Sequence, residues 1–178
     1  MNHLLTLIFT LTLLSNISAQ TNLKNSVDVR LGYGGIDKLS GMTFLSAAFG
    51  RDIKNGFILK ATYLTGSGVE DYSGSGEYYS HGSINIYGIG LQKAVNMSGS
   101  SSINLGLGYR FASLNKTAGQ NTSFESGKNF DFHRQYHGVD VDLSYSVNFN
   151  DRFGIYAGAN FMTGIFMFSI NVGSRVYF

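Results

Sequence analysis

The sequence predicts an all-β chain: a closed, antiparallel, up-and-down transmembrane β-barrel of eight strands with a polar, plugged interior. Three observations predict it. Eight segments alternate apolar and polar residues with period two. Proline is absent while glycine numbers 23, which suits long strands whose inner face must fit a narrow lumen. Aromatic residues gather at the ends of the apolar faces, where a barrel meets two membrane interfaces.

The chain opens with MNHLLTLIFTLTLLSNISAQ. Leu4 to Leu14 is apolar apart from Thr6, Thr10 and Thr12. That run is shorter than the roughly 20 residues a spanning helix needs. Ser15, Ser18 and Ala19 follow, so residues 1–19 read as a signal peptide cut between Ala19 and Gln20, although no Lys or Arg precedes the apolar run. Residues 20–178 then form one outer-membrane β-barrel domain with no internal repeat. Cysteine is absent, which leaves no disulfide framework and no Cys-based metal site. A net charge of +2 with 13% charged residues gives no concentrated basic patch for nucleic acid.

Each strand is justified by its alternation. SVDVRLGYGG sets Val27, Val29, Leu31 and Tyr33 against Asp28, Arg30, Gly32 and Gly34. TFLSAAFGR sets out Leu45, Ala47 and Phe49, and FILKATYLT sets Phe57, Leu59, Ala61 and Tyr63 against Lys60 and Thr62. SINIYGIGLQK changes phase: Ile84 and Ile86 take one face, Tyr87, Ile89 and Leu91 the other, and a bulge at Gly88 would produce that switch. INLGLGYRF opposes Ile103, Leu105, Leu107, Tyr109 and Phe111 to Asn104, Gly106, Gly108 and Arg110. VDVDLSYSVNF is apolar at every odd position from Val139 to Phe149 and polar at every even one. FGIYAGANF and FSINVGSRVYF complete the set. The connections alternate in character. About five residues around Asp52 to Gly56 and the trio Asn150 to Arg152 are short; Thr65 to Gly82 and Ala112 to His137 are long and rich in Gly and Ser.

The apolar faces could line the core of a soluble lipocalin-like barrel, which alternation alone allows. Strand length argues for lipid instead. Ten residues at about 3.3 Å, tilted about 40°, span roughly 25 Å, the height of an outer-membrane apolar band. Phe49, Phe57, Phe149 and Phe153 lie beside the short turns, and Tyr33, Tyr63, Phe111 and Phe161 near the loops. The opposite faces then place Arg30, Lys60, Arg110 and Arg175 with Asp28, Asp140 and Asp142 inside. Paired, they plug the lumen, since a buried charge is tolerated only with a partner.

With these features the chain resembles the small outer-membrane β-barrels of the OmpA/OmpX type from Gram-negative bacteria. The resemblance covers the whole mature chain, including an ending in Phe178 with Val176 and Val172 at every-second spacing. Ser174 and Tyr177 depart from that pattern. The resemblance implies outer-membrane lipid and lipopolysaccharide around the barrel, both termini in the periplasm, and Phe178 as the signal read by the barrel-assembly machinery. It does not fix an activity.

Some barrels of this kind resemble lipid A-modifying enzymes, which need a nucleophile, a His and a carboxylate brought together. His81, His133 and His137, with Ser80, Ser83 and Asp131, supply the residue types without a matching pattern. A narrow pore is the other alternative. No catalytic residue, metal ligand or cofactor is assigned. The expectation is a structural or cell-surface interaction role, adhesion-like, carried by the long loops toward an unknown extracellular ligand. Tyr72, Tyr78, Tyr79, Phe130, Phe132 and Tyr136 are its candidate residues, because Tyr among Ser and Gly is the palette of adaptable binding loops.

Overall fold

The computed structural model describes residues 24–36, 39–71, 78–98, 100–120 and 130–178. The expected signal peptide, residues 1–19, lies outside them. Eight strands follow in chain order: β1 (Asn25–Ile36), β2 (Leu39–Lys54), β3 (Phe57–Asp71), β4 (Tyr78–Ser98), β5 (Ser101–Gln120), β6 (Phe130–Asn148), β7 (Phe153–Met162) and β8 (Met167–Tyr177). Each pairs antiparallel with the next, and β8 returns to β1 from Ser26↔Tyr177 to Ile36↔Met167. The barrel is closed, so no strand edge is left within its wall.

The pleat sorts side chains as the alternation requires. On β6, Val141, Leu143 and Tyr145 face outward, while Asp140, Asp142, Ser144 and Ser146 are buried inside. The outer wall is apolar on all eight strands, with Leu31, Leu107 and Ile170 each at least 60% exposed. Such a surface is stable only against lipid or another apolar phase. Aromatic pairs mark its two borders. Phe49–Phe178 and Phe149–Phe153 lie at the short-turn end, with ring centroids 6.4 and 5.9 Å apart. Tyr63–Tyr87 and Phe161–Phe166 lie toward the loop end, at 5.1 and 6.4 Å.

The lumen holds two layers. The middle is ionic. Asp28 receives Arg175 at 2.6 Å, Lys60 at 2.7 Å and Arg30 at 3.2 Å. Arg30 also reaches Asp142 at 2.8 Å, and Arg110 pairs with Asp140 at 2.7 Å. Asn160 donates to Asp142, and the Tyr156 ring sits 4.7 Å from the Arg30 guanidinium. Glycine makes room here: a Cβ on Gly88 would lie 2.8 Å from Cγ of Arg110.

The second layer corrects the expectation of a polar interior throughout. Toward the loop end, Ile36, Met42, Phe44, Leu64, Ile84 and Ile86 pack inward with Met162 and Met167 into a buried apolar plug. It also removes the bulge expected at Gly88. The β4 register runs unshifted against β3, and against β5 from Tyr78 to Asn96. Ile84 and Ile86 point inward because the plug needs them, so the strand never changes phase.

Two further expectations change. The connection between β2 and β3 is not five residues but the pair Asn55 and Gly56, with φ of 56° and 74°. Both values are positive, as in a type I′ hairpin turn, for which Asn-Gly is the favoured pair. The supposed long loops are largely strand: β3 runs to Asp71, β4 starts at Tyr78, β5 reaches Gln120 and β6 starts at Phe130.

Candidate functional site

Strand lengths are unequal, and this inequality builds the site. β4, β5 and β6 have 21, 20 and 19 residues, whereas β7 and β8 have 10 and 11. The extra length lies above the aromatic border at the loop end. There β3 to β6 continue as a four-stranded sheet, from Asp71↔Tyr79 through Tyr78↔Gln120 to Ala118↔Phe130.

Both outer strands of this crown run past their neighbours, β3 beyond Ser67 and, over a longer stretch, β6 before Asp140. β7 pairs with β6 only over Asp140 to Asn148. The β7–β8 turn extends that contact slightly, since Thr163 N donates to Val139 O at 2.9 Å and Val139 N donates to Thr163 Oγ1 at 2.9 Å. From Phe130 to Tyr136, β6 has no strand on its far side among the described residues. Such an edge offers a row of backbone donors and acceptors.

The outward face of the crown is polar and ordered by cross-strand bonds. Thr117 Oγ1 donates to Asp131 Oδ1 at 2.7 Å. His133 Nδ1 lies 2.6 Å from Asn115 Oδ1, so that nitrogen carries the proton and donates. Tyr63 OH donates to Asn85 Oδ1 at 2.8 Å. His137 sits lower, with Nδ1 3.0 Å from Tyr109 OH and its ring against Phe111. His133 and His137 are thus matched to amide and phenol groups, and His81 stands opposite Thr117 across the ladder. Among the described side chains, Ser83 makes no hydrogen bond to any of these histidines, and the side chain of Ser80 is not among them. Among the described residues, no group of three or more His, Cys, Asp or Glu is placed to hold a metal ion.

The candidate interaction residues separate. Tyr72 lies outside the described residues. Tyr78, Tyr79 and Phe130 stand on strands β4 and β6 rather than in loops. Phe132 is on the edge strand and exposed. Tyr136 is also on β6, but it is half-buried against the apolar plug, so its ring is committed inward. Phe178 is exposed on the outer wall beside Phe49. Tyr177, one place away, sits under Arg175, which donates to its hydroxyl at 3.4 Å.

No family model matches the chain, and no curated protein matches it in sequence. Solved structures are. The N-terminal β-barrel domain of Pseudomonas aeruginosa OprF superposes with a TM-score of 0.61 at 11% identity, covering 87% of this chain and 97% of that one. The chain has the fold of the small eight-stranded outer-membrane barrels. Neisserial surface protein A gives 0.56 at 14% identity, over 89% of this chain and 98% of that one. Ail, the attachment invasion locus protein of Yersinia pestis, solved with the heparin analogue sucrose octasulfate, gives 0.57 at 11%, over 89% and 100%. Identities this low speak for the fold alone.

Proposed function

We propose that this chain is an integral outer-membrane protein, exported through a cleaved signal peptide, that works by recognition at the cell surface through its crown. The observation that carries this reading is the β6 edge from Phe130 to Tyr136, raised above the aromatic border and unpaired on one side. An extended peptide segment of a surface protein can add to such an edge through main-chain hydrogen bonds. Phe132, exposed beside it, supplies an apolar contact. Ail, named for attachment and invasion, shares the fold, which is consistent with an adhesion-like role.

The test replaces residues 70–80, the tip joining β3 to β4, with a short Gly/Ser linker, and in a second variant changes Phe132→Ala and His133→Ala. Closing a loop of different length costs little, and neither change touches the ionic layer or the buried plug. Heat-modifiable migration on gels should therefore survive. Cells carrying either variant should adhere less to host-cell or abiotic protein-coated surfaces than cells carrying the wild type. Adherence at wild-type level by both would remove the crown from consideration and leave a structural role.

A further inference from the structure

Among the described side chains, the outer wall is almost free of charge, and Arg51 and Lys93, the charged ones that face outward within it, stand together. Arg51 lies on β2 and pairs with Leu59; Lys93 lies on β4 and pairs with Phe57. They therefore flank β3, with Phe57 and Leu59 between them. Both sit near the Asn55–Gly56 turn. Lys93 Nζ donates to the Asn55 carbonyl and lies 4.3 Å from the centre of the Phe57 ring.

A cation facing lipid is costly at mid-depth and nearly free at the interface. Charge at this height is therefore tolerable, but tolerance does not explain why it is confined to one flank. The flanking wall positions carry no charge: Asn25 on β1 pairs with Arg51 and Leu105 on β5 with Lys93, and the same end of the barrel holds Phe149 and Phe153 on β6 and β7 and Val176 and Phe178 on β8. No carboxylate among the described residues faces outward near Arg51 and Lys93; Asp52, the neighbour in sequence, turns its side chain to the lumen side. Two strand spacings separate the cations laterally, about 10 Å, which their long side chains can bridge. On β3 the turn lies below them and Ala61 above, beside Ile89 of β4, an apolar lane that starts at Leu59; on β4 Val95 and Met97 continue toward the short-turn end.

Cations, an aromatic ring and an aliphatic lane in that vertical order match a lipid with an anionic head and acyl tails. We infer that the Arg51–Phe57–Lys93 flank is a binding site for an anionic phospholipid of the periplasmic leaflet, with the phosphate between the two cations and the tails along Leu59 and Ala61. The outward direction of both side chains favours a lipid over a soluble periplasmic protein, which would approach from below. This site rests on the outer-membrane reading.

The experiment uses the mature folded protein in vesicles of phosphatidylcholine with a minor fraction of spin-labelled lipid. Labelled phosphatidylglycerol should associate with the wild type more strongly than labelled phosphatidylcholine. Each cation beside an anionic headgroup contributes roughly fivefold. The variant R51Q/K93Q should lose that preference, and R51K/K93R should keep it. R134Q, at the far end of the barrel, should leave it unchanged. Equal association of both lipids with the wild type would overturn the site, as would a preference that survives R51Q/K93Q. Capture of a periplasmic protein that R51Q/K93Q abolishes, without lipid preference, would hand the flank to a protein partner and overturn it too. Failure of the wild type to enter any bilayer would instead sink the outer-membrane reading, a distinguishable result.

Discussion

Asp28 shows at the scale of one residue how the barrel tolerates charge inside. Its carboxylate is fully buried and takes three cations, with Arg175 placing two nitrogens on it at 2.6 and 2.9 Å. Arg30 has a second carboxylate in Asp142, but among the described residues neither Lys60 nor Arg175 has another ion pair. Removing the shared partner strands those two charges. Asp28→Asn should therefore destabilise the barrel by roughly 3–5 kcal/mol, the cost of breaking a buried pair from one side. Adding Lys60→Met should restore part of the loss, because one stranded charge goes with it. Reversible unfolding by urea in lipid vesicles measures both. A double variant no more stable than Asp28→Asn alone would show that Lys60 does not depend on that carboxylate.

Among elements, the sequence was most readable where one face meets lipid and the other meets charge. β5 and β6 are legible from Leu105 to Tyr109 and from Val139 to Tyr145 because apolar and polar residues cannot exchange faces without cost. β4 was misread at Ile84 and Ile86 because hydropathy does not distinguish an apolar residue facing lipid from one facing an apolar plug. The crown was missed for the opposite reason. From Asn115 to Thr117 and from Asp131 to Gln135, above the plug, alternation of apolar and polar residues vanishes and strand looks like loop. The long strands carried no hydropathy signal there, and only pairing reveals them. The Asn55–Gly56 turn was readable in principle, since that dipeptide is itself the signal. At Gly56 a Cβ would lie 2.9 Å from the Ala94 carbonyl oxygen, in a backbone conformation with φ of 74°. Gly56→Ala should cost roughly 1–2 kcal/mol, the penalty of left-handed backbone in a residue with a Cβ. A shifted unfolding midpoint with an unchanged slope is the expected result; no shift would mean that this hairpin yields without strain.

At the scale of the whole molecule, the two lumen layers act in series. The ionic layer leaves a cavity of about 30 Å³ beside Arg30, Lys60 and Arg110, room for a water molecule or two. Above it the plug of Phe44, Ile84, Ile86 and the methionines is buried and apolar. Below it the lumen opens into a vestibule of about 410 Å³ lined by Lys24, Asp52, Asn148 and Tyr177. An ion entering from the vestibule meets charges already paired to one another, then an apolar layer that offers no replacement for its hydration. The barrel should therefore not conduct, which sets it against the narrow-pore alternative. In planar bilayers the wild type should show no stable unitary current. Removing the apolar layer alone, by Phe44→Ala with Ile86→Ala, should still give none, because the ionic layer remains. Adding Asp28→Asn to that pair should loosen both layers, and current steps should then appear if the barrel stays folded by gel migration. Steady conductance in the wild type would mean that the paired charges and the plug open together on the timescale of ion passage, and that the closed lumen is one state of two.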